Sequence, residues 1–306
     1  MKRVFQIGTR DSELAVWQAN LVKEQLALYG YDSKLVFIKS EGDLNLTTPL
    51  YAMGVQGIFT RTLDTALLND RVDIAVHSMK DVPIQLPQNI TQAAVLKRAS
   101  YKDVLVHKGD THFLDNDSSG ALIATSSIRR IAQWLHRYPQ HQVTSLRGNI
   151  NSRLKKLKES NWNGAIFAAA GLQRIHLLPD DAVELDWMLP APAQGAIMVV
   201  CRQNDDEVRE ACSYLDDQQT ALCTAIERDF LKTLLGGCST PISALALAEN
   251  NHISFKGNIT SPDGKQSVHV ESIVPLPESQ DLGIKEAYRI LENGGKEIAA
   301  QIRHER

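Results

Sequence analysis

Short runs of β-branched and other apolar residues alternate with longer amphipathic stretches along most of this chain of 306 residues. Short apolar runs are typical of buried strands, and apolar residues at helical spacing are typical of helices packed on a sheet. The pattern predicts strands at residues 4–8, 34–38, 73–77, 103–107, 122–125, 142–145, 165–168 and 196–201. It predicts helices at residues 12–29, 59–68, 128–135, 151–159 and 205–215.

The order of these elements indicates an α/β protein with three domains. Strands separated by single helices favour βαβ units and mostly parallel sheets. We expect a first domain at residues 1–98, completed by 195–216, and a second at 102–190, the two facing a cleft. A long helix, two strands and a final helix then predict a smaller α+β domain at 219–306.

One connection, residues 40–58, lacks clear periodicity and contains Gly42, Gly54 and Gly57. Loops longer than about 12–15 residues in a compact domain are commonly lids or disordered segments. We interpret this segment as a lid of the first domain. A passive surface loop is the alternative.

Charge is distributed unevenly along the chain. The protein has 33 basic and 36 acidic residues, yet residues 121–178 hold nine Lys or Arg and one acid, Glu159. Arginine offers a planar fork of donors matched to carboxylate or phosphate, and a local positive field concentrates anions. A solvated helix face explains Lys155, Lys156 and Lys158. The arginines beside predicted strand ends instead indicate an anionic substrate with several charges.

Composition and motifs exclude several classes of protein. The four cysteines, at 201, 212, 223 and 238, form no C-x-x-C pair, so we expect no metal. No nucleotide-phosphate motif occurs, and a sequence pI near 6.3 argues against a nucleic-acid partner. No apolar run is long enough to span a membrane, and the start lacks a signal peptide. We expect a cytoplasmic protein.

In parallel α/β sheets, ligands bind beyond the carboxyl ends of the strands. Most unusual polar residues of the first two domains fall at such ends. They are Thr9, Arg10, Ser12, Glu41, Asp43, Ser78, Lys80, Asp81, Thr125, Ser126, Ser127, Arg129, Arg130, Arg147, Gly171 and Arg174. The predicted helix that follows Ser127 adds free backbone N–H groups, which favour an anion. We expect these residues to line one anion-binding cleft.

Two segments carry candidate chemistry. Asp81 follows a buried strand, and a carboxylate in a cationic cleft stays ionised and can stabilise a cation or move protons. Its alternative is a solvated pair with Lys80, and His77 is interpreted as a hydrogen-bonded core residue. Cys238 follows two glycines at a predicted helix end, where a thiol could serve as a covalent attachment point. A small buried hydrophobe is its alternative.

Eight segments resemble the porphobilinogen deaminase family, also called hydroxymethylbilane synthases, from end to end. They are IGTRDSELAVWQA, KSEGD, IAVHSMKDVP, ATSSIRR, SLRGNINSRL, AAAGLQR, LPAPAQGA and LLGGC followed by S-x-P-I. The resemblance implies a transferase that condenses porphobilinogen into the linear tetrapyrrole hydroxymethylbilane with release of ammonia, in heme biosynthesis. It also implies two domains like those of periplasmic binding proteins, a third domain bearing the cysteine, and a monomer.

The resemblance assigns residues by position. Cys238 matches the cysteine that carries the dipyrromethane cofactor through a thioether, and Asp81 matches the catalytic aspartate. Cofactor-binding matches are Ser78, Lys80, Thr125, Ser126, Ser127, Arg129, Arg130, Arg147 and Gly148. Substrate-binding matches are Arg10, Ser12, Arg153 and Arg174. The lid departs from part of the family, because Ala52 and Gln56 stand where many members have lysine.

Three other hypotheses for the function predict different sequence features. A solute-binding protein of the periplasmic type would share the two-domain architecture, but it predicts an export signal and gives no reason for Cys238. A nucleic-acid-binding regulator predicts aromatic residues among the arginines, and only Trp134 and Trp162 lie near. An inactive relative would have lost functional residues, yet Asp81, Cys238 and the matching arginines are all present.

Overall fold

A computed structural model describes residues 3–39, 60–115, 120–234 and 240–304. The described residues form two compact units. Unit 1 contains residues 3–39, 60–99 and 195–222, and unit 2 contains residues 100–115, 120–194, 223–234 and 240–304. Among the residues so described, no helix is both long and apolar enough to cross a bilayer.

Unit 1 is built on a five-stranded mixed sheet of order β2-β1-β3-β10-β4. Its strands are β1 (Phe5–Thr9), β2 (Ser33–Phe37), β3 (Ile74–Ser78), β4 (Ile90–Leu96) and β10 (Ile197–Arg202). Its helices are α1 (Glu13–Leu28), α2 (Arg61–Leu68) and α6 (Asp206–Ser213). Strands β1, β2 and β3 are parallel, whereas β10 runs antiparallel to both β3 and β4. The core packs α1 and α6 on the sheet through Leu26, Ile74, Val199 and Val208.

Unit 2 contains a second five-stranded sheet, of order β7-β6-β8-β5-β9. The strands are β5 (Asp103–His107), β6 (Leu122–Ala124), β7 (Gln142–Thr144), β8 (Gly164–Ala168) and β9 (Val183–Glu184). The helices that accompany it are α3 (Ile128–Arg137), α4 (Ile150–Glu159) and α5 (Ala169–Arg174). Strands β6, β7 and β8 are parallel, but β5 is antiparallel to β8. This reversal places the first residue of β5, Asp103, opposite Ala168 at the end of β8.

The rest of unit 2 is a three-stranded antiparallel sheet with helices. It consists of β11 (Ile242–Glu249), β12 (His252–Thr260), β13 (Ser267–Pro275), α8 (Leu282–Ile290) and α9 (Lys296–His304). Helix α7 (Gln218–Leu234) precedes this sheet in the chain. The buried carboxylate of Glu227 accepts hydrogen bonds from the backbone N–H groups of Ala193 and Ala246, at 2.6 and 2.8 Å. Gln133 of α3 donates to Ser243 at the start of β11, at 3.0 Å.

The predicted α/β fold class is confirmed. Two sheets with accompanying helices, each containing three adjacent parallel strands, occur beside a smaller α+β part. Eight predicted strands and five predicted helices of the first two domains occur within two residues of their expected ends. The pattern did not predict β4, β9, β11, α5 or α9. The division into three domains and the cleft stay predictions, as does the lid at 40–58, which lies outside the described residues.

Candidate functional site

In unit 1, the predicted residues lie where the adjacent parallel strands β1 and β3 end. Arg10 follows Thr9, the last residue of β1, and Ser12 lies directly before helix α1. Ser78 is the last residue of β3, and a single 3₁₀ turn, Met79–Asp81, follows it. Because β1 and β3 are neighbours of the same direction, both sets of residues share one edge of the sheet.

The backbone around Asp81 is fixed on both sides. The N–H of Met79 donates to the carbonyl of Ala196 at 3.0 Å, and the N–H of Val82 donates to the carbonyl of Met79 at 3.1 Å. Gln18 of α1 donates to the hydroxyl of Ser78 at 2.9 Å. The side chain of Met79 is buried in this turn, whereas that of Asp81 is exposed and free to meet a ligand.

His77 is a buried residue of this edge, as expected, but its hydrogen bonding differs from the expectation. Its Nε2 atom has no hydrogen-bond partner among the residues that the structure describes. Burial, helped by the charge of Arg10, lowers the pKa of His77 to about 4. The imidazole is therefore uncharged at neutral pH.

In unit 2, the predicted residues again follow parallel strands. Thr125, Ser126 and Ser127 come after β6, Arg147 and Gly148 come after β7, and Arg174 ends the helix that follows β8. Arg153 lies in the first turn of α4. The three strands are adjacent, so their carboxyl ends bring these residues to one edge of the sheet.

Ser126 holds the loop that carries Arg147. Its Oγ atom accepts a hydrogen bond from the N–H of Leu146 at 2.8 Å, lies 3.0 Å from the carbonyl of the same residue, and lies 2.8 Å from the Oγ of Ser145. Lys156 is exposed, as expected of a solvated helix face, yet its Nζ donates to the carbonyl of Arg147 at 3.0 Å. Both residues therefore position the backbone of Arg147.

Gly148 is required by the shape of this loop. Its φ angle is +113°, and a Cβ atom there would lie 2.2 Å from the Oγ of Ser152. Asn149 then caps α4 by accepting from the N–H of Ser152 at 2.9 Å. Glycine thus allows the chain to turn sharply from Arg147 into the helix.

Arg129 and Arg130 are buried and share one carboxylate, that of Asp103. Arg129 Nη2 lies 2.6 Å from Asp103 Oδ2, and Arg130 Nη2 lies 2.7 Å from Asp103 Oδ1. Arg130 Nη1 also donates to the carbonyl of Ile166 at 2.9 Å, and Arg129 Nη1 donates to that of Leu189 at 2.7 Å. Asp103 is the only acid within ion-pair distance of either arginine among the described residues.

The other arginines of this edge are also held away from water. Arg147 and Arg174 are buried, and Arg153 is half-buried. Burial lowers the pKa of Arg174 to about 10 and lowers that of Arg147. Burial likewise lowers the pKa of Arg129, although Asp103 opposes the shift. A desolvated guanidinium gains more from a carboxylate than an exposed one does, so this edge suits an anionic ligand.

Sequence reasoning missed Asp103 and Gln194, which complete the cluster around the two arginines. Gln194 is fully buried and donates through Nε2 to Asp103 Oδ1 at 2.9 Å and to the carbonyl of Tyr101 at 2.8 Å. A signal was present, because Asp103 directly precedes the apolar residues 104–106 of its strand, and a buried acid needs a partner. Cys238 lies outside the described residues.

Comparisons with known proteins agree with the resemblance. A family model for the porphobilinogen deaminase dipyromethane cofactor binding domain matches residues 5–210, and one for the porphobilinogen deaminase C-terminal domain matches residues 221–292. A porphobilinogen deaminase of Chloroherpeton thalassium is 38% identical, with 99% of each chain covered. One of Pelotomaculum thermopropionicum is 40% identical, with 100% of this chain and 99% of the relative covered.

Among solved structures, a periplasmic substrate-binding protein of an ABC transporter from Coxiella burnetii overlaps 74% of this chain and 97% of its own, with a TM-score of 0.43 and 16% identity. The two family models together cover most of the chain, and the named relatives align along nearly its whole length. The chain belongs to the porphobilinogen deaminase family.

Proposed function

We propose that this protein is a hydroxymethylbilane synthase, a transferase that joins porphobilinogen units head to tail and releases one ammonia at each condensation. Family membership over the full length supports this reaction. The single structural observation that carries it is the set of buried arginines at one sheet edge of unit 2. Porphobilinogen bears two carboxylates on each pyrrole, and a growing chain therefore needs several cationic partners.

The described residues fit the dipyrromethane cofactor that this family uses. Its pyrroles carry acetate and propionate groups, and the Nε–H of buried Arg129 has no hydrogen-bond partner among the described residues. In the part of the chain that the structure describes, these two guanidinium groups face a single carboxylate, so one positive charge is left for a ligand to balance. We assign Arg129, Arg130 and Arg147 to the cofactor carboxylates, with Thr125, Ser126, Ser127 and Gly148 of the same unit supporting them. From the family resemblance, we also assign Ser78 and Lys80 of unit 1 to cofactor binding.

When bound through a thioether to Cys238, the cofactor supplies the pyrrole to which the first substrate unit is joined. Arg10, Ser12, Arg153 and Arg174 are assigned to the carboxylates of incoming substrate and the elongating chain. Charge-assisted hydrogen bonds contribute roughly 1.5–3 kcal/mol each, so several are needed to retain the elongating intermediate between steps.

Asp81 is assigned the acid–base role. Loss of ammonia from porphobilinogen leaves positive charge on the substrate, and an exposed carboxylate held on a fixed turn can stabilise that charge and transfer the proton. Its backbone is fixed by the hydrogen bonds of Met79 and Val82, which supports a defined position for the carboxylate.

We further propose that the enzyme acts in the cytoplasm as a monomer without a metal ion. Cys201, Cys212 and Cys223 are buried and form no disulfide among the described residues, which suits a reducing compartment. Sedimentation of the purified protein tests the monomer, and metal analysis of the active enzyme tests the last point.

The deciding experiment compares intact masses and turnover of the parent protein and its Cys238→Ser variant. We expect the parent to carry the mass of two linked pyrrole units and the variant to lack it. With porphobilinogen, the loaded parent should release ammonia and hydroxymethylbilane. Asp81→Asn should keep the adduct and lose about 10²–10⁴-fold in rate, whereas the exposed control Asp32→Asn should match the parent. A parent without adduct or turnover after incubation with porphobilinogen would refute the proposal.

A further inference from the structure

Asp103 reaches the ligand edge of unit 2 because its strand runs against the others. Strands β6, β7 and β8 point their carboxyl ends at this edge, and β5 begins there, with Asp103 opposite Ala168. The first residue of β5 therefore lies among residues that follow the other strands. Its side chain is fully buried, at 0% exposure, between two arginines whose side chains are 5% and 7% exposed.

The hydrogen bonds of Asp103 fix both guanidinium groups in one orientation. Oδ1 accepts from Nη2 of Arg130 at 2.7 Å, from Nε of Arg130 at 3.2 Å and from Gln194 at 2.9 Å. Oδ2 accepts from Nη2 of Arg129 at 2.6 Å. Each arginine is also tied at its far side to a backbone carbonyl, Leu189 for Arg129 and Ile166 for Arg130.

The carbonyl of Leu189 is itself held in place. Gln133 donates to that oxygen at 3.0 Å, and its own Oε1 accepts from the N–H of Leu189 at 2.9 Å. Arg129 is thus bound between two fixed acceptors, and its Nε–H remains without a partner among the described residues. Arg130, by contrast, has Nε, Nη1 and Nη2 all engaged.

We propose that Asp103 is a positioning residue of the cofactor site: it holds Arg129 and Arg130 in one orientation and leaves one positive charge, with the Nε–H of Arg129, for a ligand carboxylate. This inference rests on the proposed function. Gln194 supports Asp103 by donating to Oδ1, the oxygen that Arg130 also contacts. A purely structural ion pair would balance its charges and leave no buried donor unused.

The test measures cofactor content by intact mass in purified, folded Asp103→Asn protein. Asparagine keeps the shape, but its amide places N–H groups against a guanidinium and leaves two buried cations without a carboxylate. We expect the loaded fraction to fall to less than half that of the parent. In the remaining loaded protein, KM for porphobilinogen should rise about ten- to hundredfold, with a smaller change in kcat.

Asp73→Asn is the matched control. Asp73 is also a buried acid shared by two arginines, Arg3 and Arg202, but it precedes β3 and so lies at the opposite edge of its sheet from Ser78. We expect this variant to load fully and to keep the parent KM. Circular dichroism of each sample at the assay temperature establishes that the compared proteins are folded.

If Asp103→Asn does not fold, Gln194→Met replaces it. That variant removes one hydrogen bond from Oδ1 without changing charge, and we expect a rise in KM of about three- to tenfold. Suppose that the parent carries the cofactor. If the folded Asp103→Asn variant, or the Gln194→Met variant, then also carries it fully and keeps the parental KM, this inference alone is overturned. A parent that never carries an adduct or turns over overturns the proposed function and this inference with it.

Discussion

Two clusters in this protein have the same core, one aspartate between two arginines, and differ in everything around it. Asp103 is fully buried with Arg129 and Arg130, and no other acid contacts those arginines among the described residues. Asp73 contacts Arg3 and Arg202, whose side chains are 35% and 14% exposed. These two arginines also contact Asp70, Asp205 and Glu207.

Under our proposal, this difference separates a ligand-binding cluster from a structural one. In the Asp73 cluster two arginines meet four carboxylates, so the positive charge is more than balanced. Within the described residues, the two arginines of the Asp103 cluster meet one carboxylate, which leaves one positive charge there without an acidic partner. Buried charge that is left unbalanced costs free energy, which a ligand of opposite charge recovers on binding.

The largest expected effect follows from removing each acid. Asp103→Asn should lower the free energy of unfolding by about 3–5 kcal/mol, because it leaves two buried guanidinium groups unpaired. Asp73→Asn should cost about 1–2 kcal/mol, since Asp205 Oδ2 still lies 2.9 Å from both Arg3 and Arg202. Urea denaturation followed by tryptophan fluorescence measures both. Equal losses would contradict the distinction between the clusters.

A second effect concerns the far end of β3, where His77 is buried without charge. Its pKa is about 4 in the folded protein and 6.5 ordinarily, so below pH 6.5 the unfolded chain binds a proton that the folded protein does not. Stability should therefore fall as the pH drops from 6.5 towards 4, by about 2–3 kcal/mol at pH 4.5.

The variant His77→Gln removes the imidazole that binds this proton in the unfolded chain. We expect its loss of unfolding free energy between pH 7.5 and pH 4.5 to be smaller than that of the parent by about 2–3 kcal/mol, whatever its stability at neutral pH. Urea denaturation at the two pH values gives the comparison. The same pH dependence in both proteins would show that His77 is protonated in the folded state at pH 4.5.

The smallest effect distinguishes the clusters by salt. Because Arg3 is partly exposed, Arg3→Met should lower the free energy of unfolding by about 0.5–1 kcal/mol at 0.1 M NaCl and hardly at all at 1 M. Arg130→Met should cost the same at both salt concentrations, because its pair with Asp103 is buried. Denaturation of both variants and the parent at the two concentrations checks this. If salt reduces the loss of unfolding free energy equally in the two variants, water and ions must reach Asp103.

Much of the fold followed from sequence, as did the placement of the candidate residues at two sheet edges. The apolar run before Ser78 and the amphipathic stretch after Arg10 predicted β3 and α1, and hence the edge that holds Asp81. Strand β4 was missed because Thr91 and Gln92 interrupt its apolar pattern, although its second half is buried against β10. Tertiary pairing, which local pattern does not encode, decided that element.

Asp103 was missed for a different reason. In a wholly parallel sheet the first residue of a strand lies at the edge away from the ligand. The start of β5 was therefore not predicted to lie near the candidate site. Strand direction depends on pairing over long distances, and nothing in the residues 103–107 encodes it. The arginines were found because their charge and their position after strands are local features, while the acid that orders them depends on the topology.

The position of β10 sets the order in which the protein can be completed during synthesis. This strand lies between β3 and β4, pairing with both, and yet it follows them by about a hundred residues that belong to unit 2. The ribosome must therefore deliver the whole of residues 100–194 before unit 1 can close its sheet. Until then the edges of β3 and β4 that β10 will cover stay unpaired, and unpaired strand edges make a nascent chain prone to aggregation.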